Sequence, residues 1–426
     1  MDTRAIAAET YQKMLEGAGS SPAEGTDGTA QEKAFIKRLV LTALRRHEFL
    51  KKTINAYSSK PLPQKLTSAH LLIILGAVEI LYFSTPEYAV VSSYVDIAKR
   101  TCGKYAGGFV NALLRKICQN KETILKQSDI AFFPKTFRKI LQADYSQKEI
   151  NAIEKSAFGE PPLDLSVKDS PVEWADKLGG KLLPNGSVRL YAAGAVNALA
   201  GYGEGQWWVQ DMASSLAVAA LGNIAGKKVL DLCAAPGGKT AQLLNAGAIV
   251  TALDISSQRL KTMDANLQRL GLKTDETICS DAIEYLEKTD KQYDIILLDA
   301  PCSATGTLRR HPEIVHTRGI KDIMQSAAVQ KKMLQAAAPH VACGGILLYA
   351  ICSLSKTEGE KQISGFLASN PDFKIKSVDL TLIAGTQKEA IREMLTPEGF
   401  LRCLPSHLPQ DGGLDGFFIA QLQRVK

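Results

Sequence analysis

The sequence lacks any long apolar run. Its longest apolar segments, such as Leu71–Leu75 and Ile295–Leu298, fall far short of the roughly eighteen residues that cross a bilayer. The first residues, MDTRAIAAETYQKMLEG, also lack the apolar core of a signal peptide and have the pattern of an amphipathic helix. We therefore expect a cytoplasmic protein with no membrane partner.

The cysteines follow no metal-binding or redox spacing. No two of the eight are separated by two residues, which disfavours zinc-finger and thioredoxin-like sites, and we expect no metal. In a reducing compartment they are free thiols, and most of them are expected to be packing residues. The eight are Cys102, Cys118, Cys233, Cys279, Cys302, Cys343, Cys352 and Cys403.

The excess of positive charge is confined to the first third of the chain. Residues 1–126 contain 18 Lys and Arg against 11 Asp and Glu, which accounts for the whole net charge of +7. A basic module joined to a neutral one suggests that the first binds a polyanion, although an ordinary solvated surface explains the charge equally well. The basic residues include Arg45, Arg46, Lys51, Lys52, Lys99, Arg100, Lys104, Arg115 and Lys116.

The hydrophobic pattern divides the 426 residues into segments of different fold class. Helical spacing predicts an all-α region, with Leu71–Phe83 as its central buried helix. Pro161–Pro162 marks a boundary, after which short strands and one helix indicate a small α+β subdomain. We expect domains at 1–127, 161–215 and 216–426, with a helical linker at 128–160.

Strand–helix alternation begins at Lys227. It predicts a mainly parallel sheet that is covered by helices on both faces, a doubly wound α/β fold. The apolar strand candidates are Lys227–Cys233, Ile249–Ile255, Tyr293–Asp299, Gly345–Ser353 and Gly416–Leu422.

A glycine-rich turn follows the first of these strands, in the sequence VLDLCAAPGGKT. Cys233 stands where a Walker A motif needs glycine, and Ala234 and Pro236 break the dinucleotide fingerprint. The gapless pattern D-x-C-A-A-P-G-G-K-T instead resembles motif I of the S-adenosylmethionine-dependent methyltransferases, in its RNA cytosine-C5 form. The resemblance implies a Rossmann-like fold and S-adenosylmethionine as the cofactor.

Two acids at later strand ends are further cofactor candidates. Asp254 is placed to accept hydrogen bonds from ribose hydroxyls and Asp281 to lie near the adenine, although either acid is also able to cap a helix. The expected cofactor-binding residues are Cys233, Ala234, Ala235, Pro236, Gly237, Gly238, Lys239, Asp254, Asp281 and Asp299.

Two cysteines also lie at predicted strand ends. Cys302 follows Asp299-Ala300-Pro301, and Cys352 ends the strand in GGILLYAICS. In an open α/β sheet, ligands bind at the carboxyl ends of the strands, so we expect both thiols beside the cofactor. Cytosine C5 is a poor nucleophile, but thiolate addition to C6 makes C5 reactive toward a methyl group. Asp299 is placed to stabilise the adduct near N3.

These segments resemble motifs IV and VI of the RNA cytosine-C5 methyltransferases, the NOL/NOP/Sun family. The resemblance implies that Cys352 attacks and that Cys302 assists release. The DNA enzymes attack from a Pro-Cys dipeptide instead, which would nominate Cys302, but the presence of both cysteines favours the RNA class. Ile351 departs from the family, which usually has Thr before the attacking cysteine.

The first third resembles a NusB-type RNA-binding domain, in LTALRRH, LGAVEILYF, PEYAVV and GFVNALLRK. A NusB-like domain, a small RRM-like subdomain and this catalytic domain form the layout of the RsmB/Sun/Fmu family. That family methylates a cytosine of 16S ribosomal RNA. The resemblance implies a monomer that acts on RNA before full ribosome assembly, with Lys239 at the cofactor.

Three other functions are weighed against this one. A related enzyme that acts on transfer RNA or large-subunit RNA is disfavoured by the NusB-like third. A non-catalytic RNA-binding or antitermination factor is disfavoured by the presence of Asp299, Cys302 and Cys352. A nicotinamide-dependent oxidoreductase is disfavoured by the broken glycine fingerprint.

The sequence suggests roles for two further segments. Arg309, Arg310 and His311 are candidates to hold phosphates around a flipped cytidine, with a solvated loop as the alternative. The aromatic pair in Asp415-Gly416-Phe417-Phe418 is expected to lie in the core.

Overall fold

The computed structural model describes residues 2–18, 27–58, 67–127, 133–191 and 193–426. The start of the predicted linker, residues 128–132, lies outside them. Contacts divide the chain into two compact units. The first comprises Met1–Gln142, Ser146–Gly159 and Arg310–Thr317, and the second comprises Ala143–Tyr145, Glu160–Arg309 and Arg318–Lys426.

The first unit is helical, as the sequence predicts. Its third helix, Thr67–Tyr82, is buried almost throughout and contacts the helices on either side of it in the chain. Glu79 in this helix is fully buried, but Arg4 and the Tyr94 hydroxyl donate hydrogen bonds to its carboxylate. The helices are α1 Thr3–Leu15, α2 Ala30–Tyr57, α3 Thr67–Tyr82, α4 Glu87–Thr101, α5 Lys104–Gln119, α6 Lys121–Leu125, α7 Lys135–Gln142, α8 Gln147–Ser156 and α14 Ile314–Thr317.

The second unit begins with a small antiparallel sheet, in agreement with the predicted α+β character of this region. Its strand order is β2-β3-β1-β4, and helix α9 packs on it around the fully buried Trp207. Its elements are β1 Leu163–Val167, α9 Pro171–Leu178, β2 Lys181–Leu182, β3 Val188–Leu190 and β4 Trp207–Val209.

The larger sheet of this unit is mainly parallel and is covered on both faces. Along one central strand, Ile295 and Leu297 belong to one apolar core, and Ile296 and Leu298 belong to the other. The strands are β5 Lys228–Leu232, β6 Ile249–Asp254, β7 Glu276–Cys279, β8 Tyr293–Asp299, β9 Val341–Ile351, β10 Phe373–Lys376, β11 Leu401–Cys403 and β12 Phe417–Arg424. The helices are α10 Met212–Ala219, α11 Gly238–Asn245, α12 Ser257–Arg269, α13 Ala282–Lys288, α15 Ile320–Ala337, α16 Glu360–Ser369 and α17 Leu380–Ala384.

The strand order is β10-β12-β9-β8-β5-β6-β7, with β11 paired to β12. Strands β9, β8, β5, β6 and β7 run parallel, and β12 returns antiparallel to β9. The five predicted strands are therefore confirmed, whereas β10, β11 and helices α10, α13 and α17 were not predicted. Among the described helices, none is long and apolar enough to cross a membrane.

Candidate active site

The site lies at the carboxyl ends of the parallel strands. A cavity of about 420 Å³ there is lined by residues that follow β5, β6, β7, β8 and β9. Since parallel strands share one direction, their C-terminal loops meet at a single edge of the sheet. The predicted site residues on the cavity wall are Cys233, Ala235, Pro236, Asp254, Asp281, Asp299, Cys302 and Cys352.

The glycine-rich turn is tightly folded against helix α12. Cys233 and Gly237 both have positive φ angles, of 63° and 99°. A Cβ atom at Gly237 would lie 2.6 Å from Cγ of Met263, so no larger residue fits there. Burial raises the pKa of Cys233 to about 12, so this thiol stays protonated. The predicted Ala234, Gly237, Gly238 and Lys239 belong to the same turn but do not line the cavity.

Asp254 stabilises this turn as well as facing the cavity. Its buried carboxylate accepts hydrogen bonds from the backbone N–H groups of Ala235, at 3.2 Å, and Ser256, at 2.9 Å. Arg259, which the sequence analysis did not identify, lies 3.2 Å from the same carboxylate and also lines the cavity. The guanidinium of Arg259 also donates to the carbonyl of Ala235.

Asp281 is both a helix cap and a wall residue. Its Oδ1 accepts hydrogen bonds from the N–H groups of Ile283, at 2.9 Å, and Glu284, at 3.1 Å, so it caps helix α13. The capping role considered from the sequence is therefore present, and the carboxylate still contributes to the cavity wall.

Lys239 joins the glycine-rich turn to the end of β8. Its Nζ donates to Oδ2 of Asp299 at 2.8 Å and lies 4.8 Å from the ring centre of Phe417. Its side chain is almost completely buried, whereas that of Asp299 is one-third exposed at the cavity. The lysine therefore fixes the acid in place and leaves part of it accessible to a ligand.

The two thiols lie side by side because they follow neighbouring strands. Strands β8 and β9 are parallel neighbours in which Asp299 aligns with Ala350. The sulfurs of Cys302 and Cys352 are 3.4 Å apart. Hydrogen bonding with Cys352, followed by burial and the negative charges of Cys352 and Glu358, raises the pKa of Cys302.

A polar network beneath the thiols was not predicted. The fully buried Glu358 accepts hydrogen bonds from Ser303, Ser353 and Gln330. The sequence contains one signal of this network, which is that a serine directly follows each of the two cysteines. Ile351, where the family has Thr, is fully buried in the apolar core, and its neighbour Cys352 accepts a backbone hydrogen bond from Gly306.

The structure corrects the predicted phosphate-binding role of Arg309. Arg309 is only 2% exposed and donates a hydrogen bond to the carbonyl of Gly412, so it is not available to hold an RNA phosphate. His311 is exposed, and its Nδ1 lies 3.2 Å from Glu313. Phe417 and Phe418 are buried, which confirms that they are core residues.

Comparison with known proteins identifies the family. The model of the 16S rRNA methyltransferase RsmB/F family matches residues 218–423, and that of the NusB family matches residues 1–119. The ribosomal RNA small subunit methyltransferase B of Serratia proteamaculans is 33% identical over 93% of the chain and 91% of its own length. The protein of that name from Salmonella arizonae is 33% identical over 98% of both chains. The chain belongs to the RsmB family.

Solved structures agree with the RsmB-family fold. PH0851 superposes with a TM-score of 0.75 at 22% identity and covers 99% of both chains. NSun6 from Pyrococcus horikoshii, solved with SFG, superposes with a TM-score of 0.59 at 22% identity over 70% of this chain and all of its own. As an RsmB-family methyltransferase, the protein is an enzyme that uses S-adenosylmethionine.

The cavity wall tests the fit of that cofactor. The buried Asp254 supplies an acceptor for hydroxyl groups, while Pro236, Leu253 and Ile283 supply apolar wall of the kind that a purine ring contacts. The glycine-rich turn is tightly folded at Gly237, and such a turn allows a nucleoside ligand to approach the backbone closely. These residues fit S-adenosylmethionine.

Replacing Asp254 with Asn should weaken cofactor binding. The amide removes the negative charge and one of the acceptors that hold the turn and that we predict for the ribose hydroxyls, so we expect the Kd for S-adenosylhomocysteine to rise about ten-fold or more. Titration calorimetry measures this change. Asp264→Asn, an exposed acid on the adjacent helix α12, is the matched control and should bind like the wild type. Equal Kd values for all three proteins would contradict the role of Asp254.

Proposed function

We propose that the protein methylates carbon 5 of one cytidine in small-subunit ribosomal RNA and that Cys352 is its nucleophile. The observation that carries the proposal is the pair of thiols, 3.4 Å apart, on the wall of a cavity that also holds Asp254 and Asp299. The substrate follows from the relatives named ribosomal RNA small subunit methyltransferase B, which align over almost the whole chain.

The electrostatics of the thiol pair favour Cys352 as the attacking group. Two sulfurs at 3.4 Å strongly disfavour carrying two negative charges. The hydrogen bond between the thiols and the burial of Cys302 raise the pKa of Cys302, which disfavours Cys302 as the attacking thiolate. This reasoning reaches the same assignment as the family resemblance.

The reaction uses residues of three strand ends. The Cys352 thiolate adds to C6 of the cytosine and forms the C6–S bond. As this bond forms, N3 takes up a proton from water, and Asp299, held by Lys239, accepts a hydrogen bond from the N3–H of the neutral adduct; N3 returns this proton when the C6–S bond breaks. S-adenosylmethionine would be held by Cys233, Ala235, Pro236, Asp254, Asp281 and Asp299, with Ala234, Gly237, Gly238 and Lys239 shaping the turn, and would supply the methyl group for C5. A base then removes the C5 proton, the C6–S bond breaks, and Cys302 assists the departure of Cys352 as thiolate.

The basic helical region is the second part of the proposal. We assign residues 1–127 to RNA binding, on the net charge of +7 and on the NusB-family match. Residues 128–160 link this region to an RRM-like subdomain at 161–215 and to the catalytic domain at 216–426. The protein then acts as a cytoplasmic monomer on RNA that is not yet fully assembled into a ribosome.

Cys352→Ala should abolish methyl transfer while cofactor binding is retained. Without the nucleophile C5 is not activated, so we expect the rate of tritium transfer from labelled S-adenosylmethionine to fall at least about a thousand-fold. Cys343→Ala, an exposed thiol near the amino end of the same strand, should be fully active. Full activity in Cys352→Ala would refute the assignment.

Cys302→Ala should trap the covalent protein–RNA adduct. If release fails while attack proceeds, a slowly migrating protein–RNA band accumulates on a denaturing gel. The double variant Cys302→Ala/Cys352→Ala has no nucleophile and should show no such band. Normal turnover by Cys302→Ala, with no trapped adduct, would remove the release role from Cys302.

A further inference from the structure

Glu358 is a buried acid whose two oxygens each accept two hydrogen bonds. Oε1 accepts from the N–H of Ser303 and from Nε2 of Gln330, both at 2.9 Å. Oε2 accepts from the hydroxyls of Ser303 and Ser353, both at 2.5 Å. The side chain is fully buried, and four donors offset the cost of removing a carboxylate from water.

The two serines are the residues that directly follow the two thiols. Ser303 follows Cys302 at the end of β8, and Ser353 follows Cys352 at the end of β9. Their hydroxyl oxygens are 3.1 Å apart, and both hydroxyls donate hydrogen bonds to the same carboxylate oxygen of Glu358. The Glu358 side chain therefore contacts both loops at the residue that directly follows each thiol.

A threonine extends this connection between the loops. The hydroxyl of Thr305 lies 3.3 Å from that of Ser303 and 3.2 Å from that of Ser353. It also accepts a hydrogen bond from the N–H of Leu354 at 2.9 Å. Thr305 thus connects two loops that are about fifty residues apart in the chain. Its partners Ser303, Ser353 and Leu354 each lie within two residues of a thiol in the sequence.

We propose that Glu358 is a positioning residue that sets the distance between the Cys302 and Cys352 sulfurs. The β8–β9 pairing places both thiols at one edge of the sheet, but strand pairing ends at Asp299 and Ala350, two or three residues before the sulfurs. Beyond that pairing, the N–H of Gly306 donates to the carbonyl of Cys352, and Glu358 adds hydrogen bonds to the residues that directly follow both thiols. The proposal rests on the proposed function only for its effect on methyl transfer, since the thiol distance is measurable without RNA.

The thiol distance is tested by disulfide exchange on the full-length protein. Glutathione disulfide oxidises the pair, which loses two S–H protons and forms one S–S bond while two glutathione thiols are released. The equilibrium constant reports how well the sulfurs are held together, because an S–S bond forms only when they approach to about 2 Å. Acid quenching, alkylation and peptide mass spectrometry quantify the Cys302–Cys352 disulfide separately from the other six cysteines.

Glu358→Gln should lower this equilibrium constant about ten-fold or more, since displacements of about 1 Å have effects of that size on paired reacting groups. The kcat for RNA methylation should fall in parallel, while the KM for S-adenosylmethionine stays within about two-fold of wild type. Glu358→Gln keeps the shape and two or three of the four contacts, so it should retain more thiol pairing than Glu358→Ala.

Asp164→Asn is the matched control for loss of stability alone. Asp164 is also a fully buried carboxylate, and it accepts hydrogen bonds from Arg189 and from the N–H of Met212, away from both thiols. It should lower the melting temperature without altering the disulfide equilibrium. The inference is overturned if Glu358→Gln shifts the equilibrium no more than Asp164→Asn does at a comparable loss of stability. A wild-type protein that pairs its thiols but does not methylate RNA would instead refute the proposed function.

Discussion

The parallel pairing of β8 with β9 is the constraint on which the rest of the site depends. It places Asp299 and Cys302 at the end of one strand beside Cys352 at the end of the next. The neighbouring β5 and β6 place the glycine-rich turn and Asp254 at the same edge. The proposed cofactor site and the two thiols are adjacent because five strands run in one direction.

Three acids near the thiols each have partners that stabilise their charge. Lys239 pairs with Asp299, Arg259 lies against Asp254, and Glu358 is surrounded by neutral donors. The hydrogen bond to Cys352, burial and the negative charges of Cys352 and Glu358 raise the pKa of Cys302 and so oppose its ionisation. This shift supports the proposal that Cys352, and not Cys302, is the attacking thiol.

The sequence was sufficient to predict the strands, the glycine-rich turn and the place of the thiols. The strands and the turn have a clear local sequence pattern, and ligands of such a sheet bind at the carboxyl ends of its strands. It was insufficient for Glu358, which lies in the polar stretch SLSKTEGE, typical of an exposed helix start. The burial of Glu358 depends on Ser303, far away in the chain. The prediction for Arg309 was wrong for the same reason. A basic loop is expected to be exposed, but Arg309 donates a hydrogen bond to the carbonyl of Gly412, about one hundred residues away in the chain. Short strands such as β11 are set by pairing with β12 and not by their own three residues.

Methylation of cytosine C5 in small-subunit ribosomal RNA is the activity that we propose for this site. The most direct test incubates the wild-type protein and tritiated S-adenosylmethionine with deproteinised small-subunit RNA, large-subunit RNA and transfer RNA in parallel, and then maps 5-methylcytidine by bisulfite sequencing. We expect label in small-subunit RNA alone, at a single cytidine that resists bisulfite conversion. Label only in transfer RNA or large-subunit RNA, or a methyl group on any atom other than C5, would contradict it.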